Sequence, residues 1–431
     1  MIVSLFICII FLIYVRIQKL KILDPICVFY LMWTFIIGMY CLVRGDIIPP
    51  SFHTTVVYIL GLSFFGIGAV VSRNIYKKKY LNNTSVSYVH FDYNILYWTF
   101  LVICWVVMGM AALRSLPYLL AGTEINEIRY VMRDEILGGL NVPFIYFAEP
   151  MSYVILQYSI FKIYKGEHVV ISLVCILITA LLTEMCIGGR FFLYYVAFGF
   201  LFLFFAKKMK IKSIRTEGVM RMSKMMRFLI IVVVGFLTFA IIQVTGEDKL
   251  FSSIYSYFCG CVKLLDIKID EFLTTENYTL GITSLNGFVR PVLVLLRAIG
   301  IIGDLPQIAK DSETYLLAVE EATTEVSRSG GTFNGFVSMF YTFYVDLGII
   351  GVIIGSMLWG WFCEKIYLKM RDRGYDKDVI MYLFVLMALS MVMTRFPFCT
   401  YQYALSFVYI YFIFEFGRKK KNYRTTILVK G

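Results

Sequence analysis

The sequence predicts an all-α polytopic membrane protein of about eleven transmembrane helices with one large extracytoplasmic loop. Three observations predict it. Of 431 residues 59% are apolar, well above the roughly 45–50% of soluble domains. The mean hydropathy of +0.76 comes from discrete apolar runs that recur along the whole chain, so one membrane domain with inserted loops fits better than a string of soluble domains. Lys and Arg are concentrated in alternate connecting segments, the asymmetry expected of a chain threaded through a bilayer.

A span needs about 20 apolar residues, fewer where flanking groups snorkel. On that criterion the spans are 2–15, 26–43, 54–72, 95–112, 143–161, 168–187, 191–206, 228–245, 345–363, 379–397 and 400–416. The first is short, yet no basic residue precedes it and Arg16, Lys19 and Lys21 follow it, which favours an uncleaved segment with its N-terminus outside. The chain then divides into eight membrane helices within 1–245, an extracytoplasmic loop at 246–334 with short interfacial helices, and three membrane helices plus a basic cytoplasmic tail within 335–431. With the N-terminus outside and the C-terminus cytoplasmic, 28 of the 41 Lys and Arg fall in cytoplasmic segments. The net charge of +12 is explained by these basic runs facing anionic lipid, with no nucleic-acid partner required.

The ten cysteines are scattered, mostly inside apolar runs, and only Cys259 and Cys261 are close in sequence. They read as small hydrophobes. Neither zinc spacing nor a phosphate-binding glycine loop is present, so no metal or other cofactor is expected. Asp376 and Asp378 mimic the acidic pair of nucleotide-sugar transferases, but they lie in a short cytoplasmic connection.

Chemistry is expected in the outer loops. In the large loop, Ile254, Tyr257, Phe258, Cys261, Leu264 and Leu265 recur at helical spacing and make a face suited to lying on the membrane surface. The run 290–302, with Arg290 and Arg297, is too short to span and reads as interfacial or re-entrant. The segment 312–326 reads as a helix with an acidic face, followed by a Ser/Gly turn.

Gly188, Gly189 and Arg190 form the tip of a hairpin between two spans on the outer side. An arginine there either snorkels to lipid phosphates or holds an anion, for which two preceding glycines allow close backbone approach and a guanidinium offers bidentate contact. Arg129 and Arg133 lie four apart on one helical face, although Glu127, Asp134 and Glu135 can satisfy them locally. Arg290 precedes a proline, Arg328 adjoins the Ser/Gly turn, and Arg395 sits at an outer span end. Several arginines converging on one outer mouth would make a pyrophosphate site. In 330–360 an aromatic interfacial segment leads to Asp346 at the outer boundary and then into a span whose Gly351 and Gly355 suit close helix packing. A carboxylate at the top of a span is a functional candidate; Glu149 and Glu184 hold comparable positions.

The GGR hairpin at 188–190, the basic run after the next span, the large outer loop and the segment "TFNGF" to "FYVDLGIIG" resemble the O-antigen polymerase family of bacterial oligosaccharide repeat-unit polymerases. The span layout matches over nearly the whole chain, and the residue-level resemblance is confined to about 183–206 and 330–360. The resemblance implies a GT-C-like architecture in the bacterial plasma (inner) membrane. It also implies a metal- and nucleotide-independent glycosyltransferase acting on undecaprenyl-pyrophosphate-linked oligosaccharide for O-antigen, capsule or another surface polysaccharide, alongside a chain-length regulator and a flippase of the same pathway. On this resemblance Arg190 matches the span-tip arginine and stabilises the leaving pyrophosphate, Arg290 and Arg129 assist, and Asp346 is the candidate base; Arg133, Arg328, Arg395, Glu184 and Glu149 are secondary candidates. The related ligases usually carry a histidine in the large loop. Here His53, His90 and His168 all lie outside 246–333, which favours polymerase over ligase. A flippase for the same lipid-linked sugars is the remaining alternative; it has no need of the large loop, and no internal repeat is evident.

Overall fold

The computed structural model describes residues 1–42, 47–80, 95–121, 137–187, 191–206, 250–321, 324–328, 332–333, 335–373 and 375–416. Outside them lie the GGR tip with Arg190, the arginine pair Arg129 and Arg133, the basic run at 207–227, the span 228–245, the glycines of the Ser/Gly turn and the basic tail after 416. The described part is 81% helical. In chain order the helices are α1 (Ile2–Ile17), α2 (Pro25–Leu42), α3 (Phe52–Tyr80), α4 (Ile95–Leu120), α5 (Glu149–Lys165), α6 (Val169–Ile187), α7 (Phe191–Ala206), α8 (Leu250–Leu273), α9 (Asn286–Ala298), α10 (Gln307–Glu321), α11 (Phe340–Arg373), α12 (Asp376–Ser390) and α13 (Tyr401–Phe416). A two-residue antiparallel pair, β1 (Thr324–Glu325) and β2 (Thr332–Phe333), lies between α10 and α11.

Among the described residues α3, α4, α6 and α11 are long and apolar enough to cross a bilayer, while α1, α2 and α13 are shorter apolar helices. This is a membrane-embedded helical protein. Its central post is α5, in which every residue from Glu149 to Ile163 is buried. Such all-round burial requires neighbours on every side, and α4, α6, α7, α12 and α13 supply them. The most extensive helix pair is α3 with α11. A Cβ at Gly68 would collide with the Met357 carbonyl, and one at Gly360 with the Phe65 carbonyl, so glycine lets these two backbones touch as in small-residue membrane packing.

Connections sort to two ends. At the loop end, Ile48 N–H donates to the Val326 carbonyl (3.0 Å), Ser115 Oγ to the Met185 carbonyl (3.0 Å) and Gln402 Nε2 to Glu149 (3.1 Å). At the opposite end Lys165 pairs with Asp376 (3.0 Å), and Arg73 on α3 bridges Asp24 before α2 (2.5 Å) and Glu364 on α11 (2.6 Å).

The face of the loop helix expected to lie on the membrane surface packs inside the protein instead. Cys261, Leu264 and Leu265 are fully buried because α8 packs against α2, α3 and α11. Asp266 fixes that packing. Its Oδ1 accepts from Ser51 N (2.8 Å), Ser51 Oγ (2.5 Å) and Thr54 Oγ1 (2.7 Å), capping the N-terminus of α3, and its Oδ2 accepts from Lys263 (2.7 Å). Burial acts to raise the Asp266 pKa, but the bonds from Lys263, Ser51 and Thr54 outweigh it and hold the carboxyl below the usual aspartate range. A depressed folded-state pKa gives stability that is complete above the unfolded value of about 3.9 and is lost as pH falls through the folded one. Acidification below about pH 4 should therefore loosen α8 from α3 in the wild type. Hydrogen exchange over 250–273 should show it, and Asp266→Asn should show a smaller acid dependence.

The largest departure from expectation is the segment 336–348. Instead of lying at the interface, Val337, Met339, Phe340, Tyr341 and Phe343 are buried inside the bundle. Phe340 sits against Trp33, Tyr58 and Gly61, about 13 Å along α3 from its first residue at 1.5 Å per residue. The chain then turns back. Leu347 and Gly348 leave helical geometry, Gly348 at φ +61°, and Phe343 lies against both Gly351 and Gly355. The two glycines thus receive a folded-back piece of their own chain. Beside it the expected span 379–397 ends early, at Ser390. Its continuation, 391–394, is a turn, with Val337, Ser338 and Met339 donating to the carbonyls of Thr394, Met393 and Val392 (2.8–3.0 Å). Non-helical backbone at this depth is tolerated only when protein satisfies it, and the two unwound segments satisfy each other.

Candidate functional site at the loop end

The break in α11 organises the site. The carbonyls of Val345 and Asp346, freed by the kink, accept from the N–H groups of Thr279 (3.2 Å) and Leu280 (3.0 Å). The Asp346 carboxylate takes Thr279 Oγ1 (2.6 Å) and Thr283 N (2.9 Å) on Oδ1 and Ser284 N (3.0 Å) on Oδ2. These are the residues immediately before α9, so Asp346 anchors the entry of the helix that carries Arg290 and Arg297. It is only 3% exposed. A general base must reach a substrate hydroxyl at about 2.6–3.2 Å; here both carboxylate oxygens of Asp346 already accept from these donors, which makes Asp346 a group that positions the entry of α9. Asp346→Asn would oppose an amide NH2 to a buried N–H, a loss of about 1–3 kcal/mol. The expected result is a lower melting temperature and faster hydrogen exchange over 279–290.

α9 places its charges and its apolar residues on opposite faces. Arg290 and Arg297, seven apart, share one face, whereas Val292, Leu295 and Ile299 on the other are 55%, 60% and 60% exposed. Arg290 pairs with Glu313 of α10 and lies beside Tyr146. Tyr146 belongs to a wide π-helical turn, Phe144–Ala148, that leads into α5. Such turns loosen the backbone ladder, and here the Tyr146 carbonyl accepts from Tyr409 (2.5 Å). Glu149 follows at once, buried and bonded to Gln402. Tyr153, one turn further, lies within electrostatic reach of both Glu149 and Glu184 and packs on Phe192, Tyr195 and Tyr403.

Arg395 stands in the unwound segment after α12 and pairs with Glu320 of α10 (2.6 Å). Cys399 lies within electrostatic reach of Arg395, Glu320 and Asp346, which places Asp346 and Arg395 in one neighbourhood. Arg328 is exposed in the turn after Ser327, whose backbone bridges to Ile47. Of the described candidates, Arg290, Arg395, Asp346, Glu149 and Glu184 thus all lie at the loop end, and Arg328 sits at its margin.

A further residue escaped the sequence reading. His53, in the first turn of α3, hydrogen-bonds through Nε2 to the Tyr344 hydroxyl (2.8 Å), and Tyr344 lies within reach of Asp270 and Glu276. His53 falls outside 246–333, but its partner Tyr344 packs on Phe272 of α8 within it. The available signal was a histidine bordering an outer span end.

No family model matches the chain, and no curated protein or solved structure matches it. Fold and site together define a helical membrane protein with a re-entrant segment and an arginine-bearing amphipathic helix over one end.

Proposed function

We propose that the protein is a polymerase of undecaprenyl-pyrophosphate-linked oligosaccharide repeat units on the outer face of the bacterial plasma membrane, with about eleven spans in a GT-C-like arrangement, the N-terminus outside and the C-terminus cytoplasmic. The observation that carries this reading is α9, which presents cations on one face and a bare apolar surface on the other, as an amphiphilic phosphate-bearing lipid requires. The segments that the Lys and Arg count assigns to the outside also meet one another at the loop end, and those assigned to the cytoplasm meet at the other.

In the proposed reaction the acceptor hydroxyl forms a bond to the anomeric carbon of the donor glycan. The bond from that carbon to pyrophosphate oxygen breaks, undecaprenyl pyrophosphate leaves, and the hydroxyl proton passes to a base. Arg190, with Arg290, neutralises charge growing on the leaving group. The two groups offered for that proton are the Asp346 carboxylate and the half-buried His53 imidazole, both at this end.

The broken helices around Gly348 and Ser390, together with the buried Arg73 cluster, favour a second reading, a carrier that flips the same lipid-linked sugar. Gene deletion separates the two. Loss of a polymerase leaves single repeat units on the cell surface; loss of a carrier retains them inside.

A further inference from the structure

Resting on the reading just given, we propose that Arg290 and Arg395 are two separate seats for lipid diphosphate headgroups, one for donor and one for acceptor, and that α10 fills both in the resting protein. Glu313 and Glu320, which pair with the two arginines, are seven residues apart on α10, so they project from one face about 10 Å apart along the axis. A single diphosphate is shorter than those two turns. Each seat has its own apolar or aromatic support: Arg290 has Tyr146 beside it and the bare face of α9 behind it, while Arg395 precedes the Phe396–Phe398 pair.

Both ion pairs are partly solvated, with side-chain exposures of 22% and 33% for Arg290 and Glu313 and of 18% and 24% for Arg395 and Glu320. Pairs of this kind are weak, and a more highly charged diphosphate can exchange with the carboxylates. α10 is seated along one face, leaving the two carboxylates at its edge. Its buried face is Ala309, Ser312, Leu316 and Val319, its start follows the exposed stretch 299–306, and Tyr315 holds it through Thr275 (3.1 Å) and the Phe272 ring. The carboxylates therefore keep two buried-edge guanidinia paired until both substrates arrive, which limits unproductive capture of one lipid alone.

The test is calorimetric titration of inorganic pyrophosphate into the purified full chain, with hydrogen exchange over 307–321 as the second readout. Glu313→Gln with Glu320→Gln should tighten binding by up to about fivefold per seat and give two sites. Arg290→Gln or Arg395→Gln should each remove one of them. In the wild type, pyrophosphate should speed exchange in α10. Arginine-dependent binding with a single site, or with an affinity and an α10 exchange rate that ignore the carboxylates, would overturn the proposal and leave the functional reading standing. Absence of arginine-dependent binding in every form would overturn both.

Discussion

Arg190→Lys is expected to lower the rate of chain extension by a factor of several hundred, and Arg190→Ala by at least as much, with membrane insertion and expression unchanged. The size follows from where the charge develops. Breaking the glycosidic bond to pyrophosphate leaves negative charge on the departing oxygens, and losing one preorganised donor at such a position costs about 3–4 kcal/mol. Lysine keeps the charge but not the planar fork that meets two phosphate oxygens at once, and Gly188 and Gly189 ahead of it are expected to allow close backbone approach. Polymer ladders from cells carrying each variant give the readout. A lysine variant with wild-type polymer length would remove bidentate contact from the account.

The second large effect is at the opposite end. Arg73→Ala should destabilise the protein by about 3–5 kcal/mol, because it strands buried carboxylates. Arg73 is 4% exposed, Asp24 1% and Glu364 0%, and the guanidinium reaches Glu364 Oε1 through both Nε (2.8 Å) and Nη2 (2.6 Å). The cluster thereby ties α3 to α11 and to the connection before α2. Arg73 is the guanidinium in contact with both carboxylates, Arg371 acting on them only at longer range, and Glu364 Oε2 has no hydrogen-bond partner in this buried setting. Glu364→Gln, which restores one-to-one pairing, should accordingly be far milder than Arg73→Ala and near neutral in thermal unfolding. Equal losses in the two variants would mean that charge balance is irrelevant there.

Much of the helical plan was legible because hydropathy decides it locally. The spans read at 2–15 and 26–43 are helices Ile2–Ile17 and Pro25–Leu42. What failed was every question of what an apolar face meets. The periodicity of 254–265 marks one buried face, and lipid or protein can bury it equally well; α2, α3 and α11 do so. The run 336–345 has the composition of an interfacial segment, yet it lies in the bundle and the chain reverses after it at Leu347 and Gly348, a backbone change that hydropathy does not register. The partners of Arg290 and Arg395 were invisible for a related reason. Glu313 and Glu320 lie 23 and 75 residues away in sequence, and only the packing of α10 brings them close. Asp346 was singled out as a functional candidate, but its partners, backbone N–H groups of Thr283 and Ser284, carry no sequence signal.

The most direct measurement is extension of a defined undecaprenyl-pyrophosphate-linked repeat unit by the purified protein in detergent or liposomes, without nucleotide sugar. The account predicts a ladder of lipid-linked oligomers together with stoichiometric release of undecaprenyl pyrophosphate, both lost in Arg190→Lys. An unextended repeat unit that the protein merely carries across the liposome bilayer would contradict it.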